Sequence, residues 1–112
     1  MPELRETEYE QRALPELEAL LEALDRIGEE AEAELASGVL TLEFGDGTRY
    51  VVNSQRAARQ IWLAAERSAW HFDWHAARAA WVSTKTGEEL WETLGRLVAK
   101  KLGRPVELSR SS

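Results

Sequence analysis

Apolar and polar positions change period along this chain, and each change marks an element. Toward the N-terminal end, Leu14, Leu17, Leu21 and Leu24 recur every three or four residues, with Leu20 and Ile27 widening the stripe. That spacing predicts an amphipathic helix running to about Arg26. Thr7-Glu8-Tyr9-Glu10 reads as its capping box and Gly28 as its stop. Pro15 removes one backbone donor inside the pattern, which predicts a kink, because the stripe continues past it. At Glu30 the period drops to two. Ala31, Ala33 and Leu35 alternate with Glu30, Glu32 and Glu34, predicting a first strand with its carboxylates facing out. Val39 to Phe44 alternates again, with Leu40, Leu42 and Phe44 on one face. Gly45-Asp46-Gly47 supplies a tight turn, and Arg49 to Asn53 returns as the partner strand.

In the next strand Ile61 and Leu63 share one face, while Gln60, Trp62, Ala64 and Glu66 share the other. Trp70 to Trp74 places Trp70, Phe72 and Trp74 together, opposite His71, Asp73 and His75. Trp81-Val82-Ser83 is a short last strand. Thr86-Gly87-Glu88-Glu89 reads as a second capping box, before a helix with Leu90, Trp91, Leu94, Leu97, Val98 and Leu102 inward. Gly103 ends that helix and Pro105 prevents a restart. Val106 and Leu108 are expected to pack on the two helices, and Ser109 to Ser112 to be loose. The pattern predicts an α+β fold: a two-layer α/β sandwich ordered helix, about six antiparallel strands, helix. Both helices cover one face of the sheet and the other stays open. Residues 1–112 form a single domain.

Composition narrows the chemistry. Without cysteine there is no disulfide, thiolate metal site or cysteine nucleophile, which suits a reducing cytosol. The acidic N-terminus resembles neither a secretory nor a transit peptide, and no apolar run approaches bilayer length. A cytoplasmic protein without a membrane role is expected. Charge is lopsided: residues 1–46 carry a net −11 and residues 47–112 a net +5. The acidic half argues against nucleic acid as a partner and favours cations or a basic protein surface.

Glu18, Glu22, Asp25 and Glu29 form a second row on the first helix, at spacings of four, three and four. Like charges so placed cost a few tenths of a kcal/mol per pair, and Arg26 is the only base nearby. Helix stability alone does not explain that choice, although a solubilising face does. Glu30, Glu32 and Glu34 continue the row, and they also discourage edge-to-edge strand pairing. Carboxylates without thiolates make an oxygen-rich surface for hard cations, held in open rows that bind weakly. His71, Asp73 and His75 are candidates for a further metal site. Their spacing of about 7 Å along a strand disfavours all three on one ion, and a polar sheet surface is the alternative. Trp62, among polar neighbours on the solvent face, is either a partner contact or cross-strand packing. No nucleophile–base pair and no phosphate-cradling loop stands out.

The motifs Gly38-Val39-Leu40-Thr41, Asn53-x-Gln55, Gln60-Ile61-Trp62-Leu63-Ala64 and His71-Phe72 together resemble the frataxin family, in its bacterial branch. The resemblance runs from about Thr7 to Gly103. It departs at Ala57, where the family carries proline, at Ser68-Ala69, where it carries Gly-Gly, and in the longer turn Ala76 to Ala80. The resemblance implies the same sandwich. It implies weakly bound iron (Fe²⁺/Fe³⁺) on an acidic ridge of Glu18, Glu22, Asp25, Glu29, Glu30, Glu32 and Glu34. It implies contacts with a cysteine desulfurase of the IscS type and an iron–sulfur scaffold of the IscU type, and a monomer that modulates cluster assembly. Asn53, Gln55, Gln60 and Trp62 would form the sheet-face contact, and His71 belongs to the family pattern. Ferroxidase or iron-storage activity, or an acidic binding module with no iron role, are the alternative readings.

Overall fold

The computed structural model describes residues 5–110. Met1 to Leu4, and Ser111 and Ser112 of the tail read as loose, lie outside the described residues. Helix α1 (Glu6–Asp25) is followed by strands β1 (Ala31–Ala36), β2 (Val39–Phe44), β3 (Arg49–Gln55), β4 (Gln60–Ala65), β5 (Ser68–His75) and β6 (Ala80–Ser83). A short 3₁₀ turn, Arg56–Ala58, joins β3 to β4, and α2 (Leu90–Leu102) closes the order. The six strands form one antiparallel sheet in sequence order, each pairing with its neighbour in the chain. Alternation decides the faces. Leu40, Leu42, Phe44, Tyr50, Val52, Ile61, Leu63, Phe72 and Trp81 are buried in a single core with residues of both helices. The expected α+β sandwich, with both helices on one face, is the observed architecture.

Three local expectations change. The α1 cap is Arg5, not Thr7: Glu8 Oε1 accepts from the Arg5 N–H at 3.4 Å, so the acidic residue that reaches back is Glu8 rather than Glu10. The α2 cap is Glu89, not Thr86. Its carboxylate accepts from the Glu92 N–H at 3.2 Å, and Glu92 Oε1 accepts from the Glu89 N–H at 3.4 Å. Thr86 is used in the preceding turn, where its hydroxyl accepts from Glu88 N–H and its own N–H donates to Ser83 Oγ. The third change concerns the inner stripe of α1, which is Tyr9, Ala13, Leu17, Leu20 and Leu24. Leu14, expected inside, is 48% exposed, while Glu16 is buried. The helix runs unbroken through Pro15, with buried leucines on the C-terminal side holding it to the sheet. Tyr9 fixes the N-terminal side: its hydroxyl donates to Gln60 O at 2.7 Å and its ring meets Trp81 edge-on.

The connections are tight. Ser37-Gly38 and Glu66-Arg67 are two-residue hairpin loops in which both residues have positive φ. A Cβ on Gly38 would meet Ser54 Oγ at 3.2 Å, so that position needs glycine for space as well as for φ. The departure at Ser68-Ala69 leaves the loop intact, because both residues belong to β5.

After Gly103, whose left-handed conformation ends α2, the chain turns back over the helices. Val106 and Leu108 pack against the core, and Leu108 fills the space beside Gly95, whose missing Cβ would stand 3.7 Å away. Ser109 and Arg110, read from sequence as loose, are tied down: Arg26 Nη2 donates to Ser109 O at 3.0 Å, and Arg110 pairs with buried Glu16.

Candidate functional site

Two surfaces carry the residues singled out from the sequence. The first is acidic. Glu18, Glu22 and Asp25 lie exposed on α1, Glu29 and Glu30 in the connection to β1, and Glu32 and Glu34 on the outer face of β1. The two-residue periodicity of β1 puts Ala31 into the core and turns Glu32 and Glu34 to solvent, as expected. Register adds a carboxylate that the sequence reading missed. Glu43 of β2 stands opposite Glu32, and a shallow cavity of about 260 Å³ is lined by Glu29, Glu30, Glu32, Glu43, Phe44 and Gly45. Like charges directly opposite on a sheet are unfavourable, so this pairing is held by the rest of the fold and not by itself. Glu43's signal was its place on the outward face of β2, but only the β1–β2 register shows that it faces Glu32.

Basic side chains reach into this band. Arg26 lies 3.7 Å from Glu22, Arg49 lies 3.9 Å from Glu43, and Arg104 pairs with Glu30 through Nε at 3.0 Å and through Nη2. All are solvent-exposed pairs, each worth at most about 1 kcal/mol. Among the described residues no three His, Asp or Glu side chains converge closely enough to hold one metal ion. The carboxylates form an open band and not a cage. Such a band supplies one or two oxygens at each point and leaves water to complete a cation's shell.

The second surface is the open face of the sheet. Antiparallel register aligns Asn53, Trp62 and His71 in one row across β3, β4 and β5, and Gln55, Gln60 and Asp73 in the next. Trp62 stacks on His71, with ring centroids 4.3 Å apart and planes within 12°. Its indole N–H donates to Gln60 Oε1 at 2.8 Å, and Gln60 Nε2 donates to Asp73 Oδ1 at 3.0 Å. The four side chains therefore form one connected platform with the ring plane and the imidazole held in place. Exposed Val39 continues the Asn53–Trp62–His71 row on β2. Asn53 also donates to Ser54 O at 3.2 Å, which orients it along the strand.

His71, Asp73 and His75 are not brought together. His71 is engaged with Trp62, and Asp73 with Gln60. His75 Nδ1 accepts from the Arg78 N–H at 3.2 Å and so shapes the turn that follows β5.

Several groups titrate away from their ordinary values. Burial pushes the Glu89 carboxyl above its usual value, against hydrogen bonds from the Trp91 and Glu92 N–H groups. Lys101, together with Thr48, holds Asp46 well below the usual carboxylate range. Burial, then the hydrogen bond to Glu66, pushes the Tyr50 phenol up. These shifts belong to a helix cap, a turn and a strand contact.

Among the described residues no helix is long and apolar enough to cross a membrane. Residues 2–104 match the family model described as a frataxin-like domain. The iron–sulfur cluster assembly protein CyaY of Thioalkalivibrio sulfidiphilus is 42% identical over 94 residues, which is 82% of this chain and 88% of that protein. Frataxin from Psychromonas ingrahamii superposes with a TM-score of 0.86 at 23% identity, covering 96% of this chain and all of its own. Trimeric frataxin from the yeast Saccharomyces cerevisiae, in its complex with ferrous iron, superposes with a TM-score of 0.71 at 30% identity, covering 93% of this chain and 91% of that one.

Proposed function

The chain belongs to the frataxin family, in its bacterial CyaY branch, and from that premise we propose that it is an iron-binding regulator or iron donor in iron–sulfur cluster assembly. The acidic band from Glu18 to Glu34 is the ferrous site and the contact for a cysteine desulfurase. The platform of Asn53, Gln55, Gln60 and Trp62 meets the iron–sulfur scaffold. The observation that carries this reading is the exposure of all seven carboxylates in one band whose members do not converge. A site of that kind loads and unloads readily, which suits delivery or sensing better than a resident cofactor. The relative solved with ferrous iron, at 30% identity, supports the choice of cation. The same negative band attracts a basic protein surface, so iron and desulfurase use overlapping residues. The open sheet face supplies a rigid aromatic with its N–H already satisfied, the kind of anchor that seats in a partner's apolar pocket. The protein works as a monomer in the cytoplasm, with no nucleic acid or membrane partner.

The test is a binding titration against the desulfurase with and without Fe²⁺, at low and moderate salt. Parent protein is expected to bind in a salt-sensitive way. A variant with Glu18, Glu22 and Glu29 all changed to lysine should lose that binding, while Trp62→Ala keeps it and loses the scaffold. Undiminished desulfurase binding by the triple variant would overturn the assignment of the band.

A further inference from the structure

The acidic band already has an occupant, supplied by the chain itself. Gly103 turns the backbone, Pro105 prevents α2 from resuming, and Arg104 between them lands on Glu30. Beyond it Val106 and Leu108 are half-buried, the Ser109 carbonyl accepts from Arg26, and Arg110 reaches Glu16. Arg26 also lies against Glu22. The segment thus has a wet end and a dry end. At the wet end the Arg104 and Glu30 side chains are 42% and 49% exposed. At the dry end the Glu16 side chain is only 5% exposed and also accepts from the Trp91 indole.

We propose that the segment from Arg104 to Arg110 is an intramolecular competitor for the acidic band, and that a cation seated on Glu30 displaces its Arg104 end. This rests on the reading of the band as a cation site. Both Arg104 nitrogens fall on one Glu30 oxygen, so a cation on the same carboxylate must give up that oxygen and meets the guanidinium's like charge, and the two oppose each other. The contest is balanced, because both sides are weak. An exposed ion pair is worth at most about 1 kcal/mol, and an open carboxylate band binds a divalent cation loosely. The dry end keeps the segment attached while Arg104 swings out, so the protein stays folded as the band loads. The arrangement sets a threshold: cation must reach a concentration at which it outcompetes a guanidinium held in place by the fold.

The experiment is an anaerobic Fe²⁺ titration of the full chain, with dissociation constants read from the amides of Glu18 to Glu34 by NMR. Arg104→Gln is expected to bind about two- to five-fold tighter than the parent, the factor that an exposed pair provides. Arg67→Gln, which removes the same charge from the β4–β5 turn, should match the parent. Equal tightening in both variants would mean that net charge alone is acting and would overturn the proposal. So would an unchanged constant in Arg104→Gln, which leaves the band's cation reading standing. Amides that never respond in the parent would end both readings together.

Discussion

Glu16 offers the sharpest test of how the helical layer is held. The residue is buried, and its carboxylate accepts from the Trp91 indole N–H and carries Arg110 as counter-ion. Glu16→Ala removes the acceptor and leaves the buried indole N–H without it. A hydrogen bond to a charged group contributes about 1.5–3 kcal/mol, and stranding the donor costs a similar amount to losing it. Arg110 is half-exposed and regains water, so its share is at most about 1 kcal/mol. Glu16→Ala should therefore lose about 2–4 kcal/mol. Glu16→Gln keeps an acceptor for the indole and should lose only about 1 kcal/mol. In equilibrium urea unfolding followed by far-UV dichroism, the midpoint falls in proportion while the slope is unchanged. The double variant Glu16→Ala/Trp91→Phe removes donor and acceptor together, so its loss should fall short of the sum of the two single losses by about 1–3 kcal/mol. A Glu16→Gln variant as damaged as Glu16→Ala would refute the reasoning, because the indole bond would then not be the larger part. An additive double variant would refute it as well.

Asp46 predicts a pH signature. Lys101, followed by the Thr48 hydroxyl and N–H, lowers its carboxyl below the ordinary 3.8. Its stabilisation is present above that value and is lost as pH falls through the lower folded value. Asp46→Asn should thus lower the urea midpoint at pH 7, with the gap to the parent closing below about pH 4; a gap that widens in acid contradicts the ion pair. Arg67 occupies a positive φ of 69° in the β4–β5 hairpin, so Arg67→Gly should gain about 0.5–1 kcal/mol in the same assay. A loss would mean that the side chain holds the turn. Gly38→Ala meets both a φ of 78° and Ser54 Oγ at 3.2 Å, and should lose about 1–2 kcal/mol; restoring the loss with Ser54→Ala in addition identifies how much is contact rather than φ.

The sheet was legible in the sequence because its alternation is clean: Leu40, Leu42 and Phe44, or Ile61 and Leu63, leave one choice of face. The outward carboxylates of β1 were legible for the same reason and those of α1 from their helical spacing, whereas Asn53 and Trp62 were set together only through the family resemblance. Helix details were less so. Every leucine counted as inward, yet Ala13 and Tyr9 face the core and Leu14 does not, since a helix stripe is broad enough to be rotated by packing. Glu16 carried no signal of its burial, and nothing nearby in sequence announced Trp91 and Arg110 as its partners. Both caps moved because an acidic residue three positions on recurs at more than one offset in this Glu-rich chain. Glu43 facing Glu32 and Gln60 bridging Trp62 to Asp73 depend on register, which periodicity within one strand does not contain.

The sheet runs in strict sequence order, so each strand zips onto the one made just before it. The closures that span the chain fall elsewhere: Trp91 on Glu16, Arg104 on Glu30, Ser109 on Arg26, Arg110 on Glu16. All converge on α1 or the turn that follows it. Local pairings carry little loop-closure cost, whereas these span 74 to 94 residues. This topology predicts that the meander pairs before the last element docks beside the first. In reverse, native-state hydrogen exchange should find α2 and the tail opening as one unit below the global unfolding energy, with β3 and β4 the last amides to exchange. The clasp on Glu16 governs how often that opening occurs.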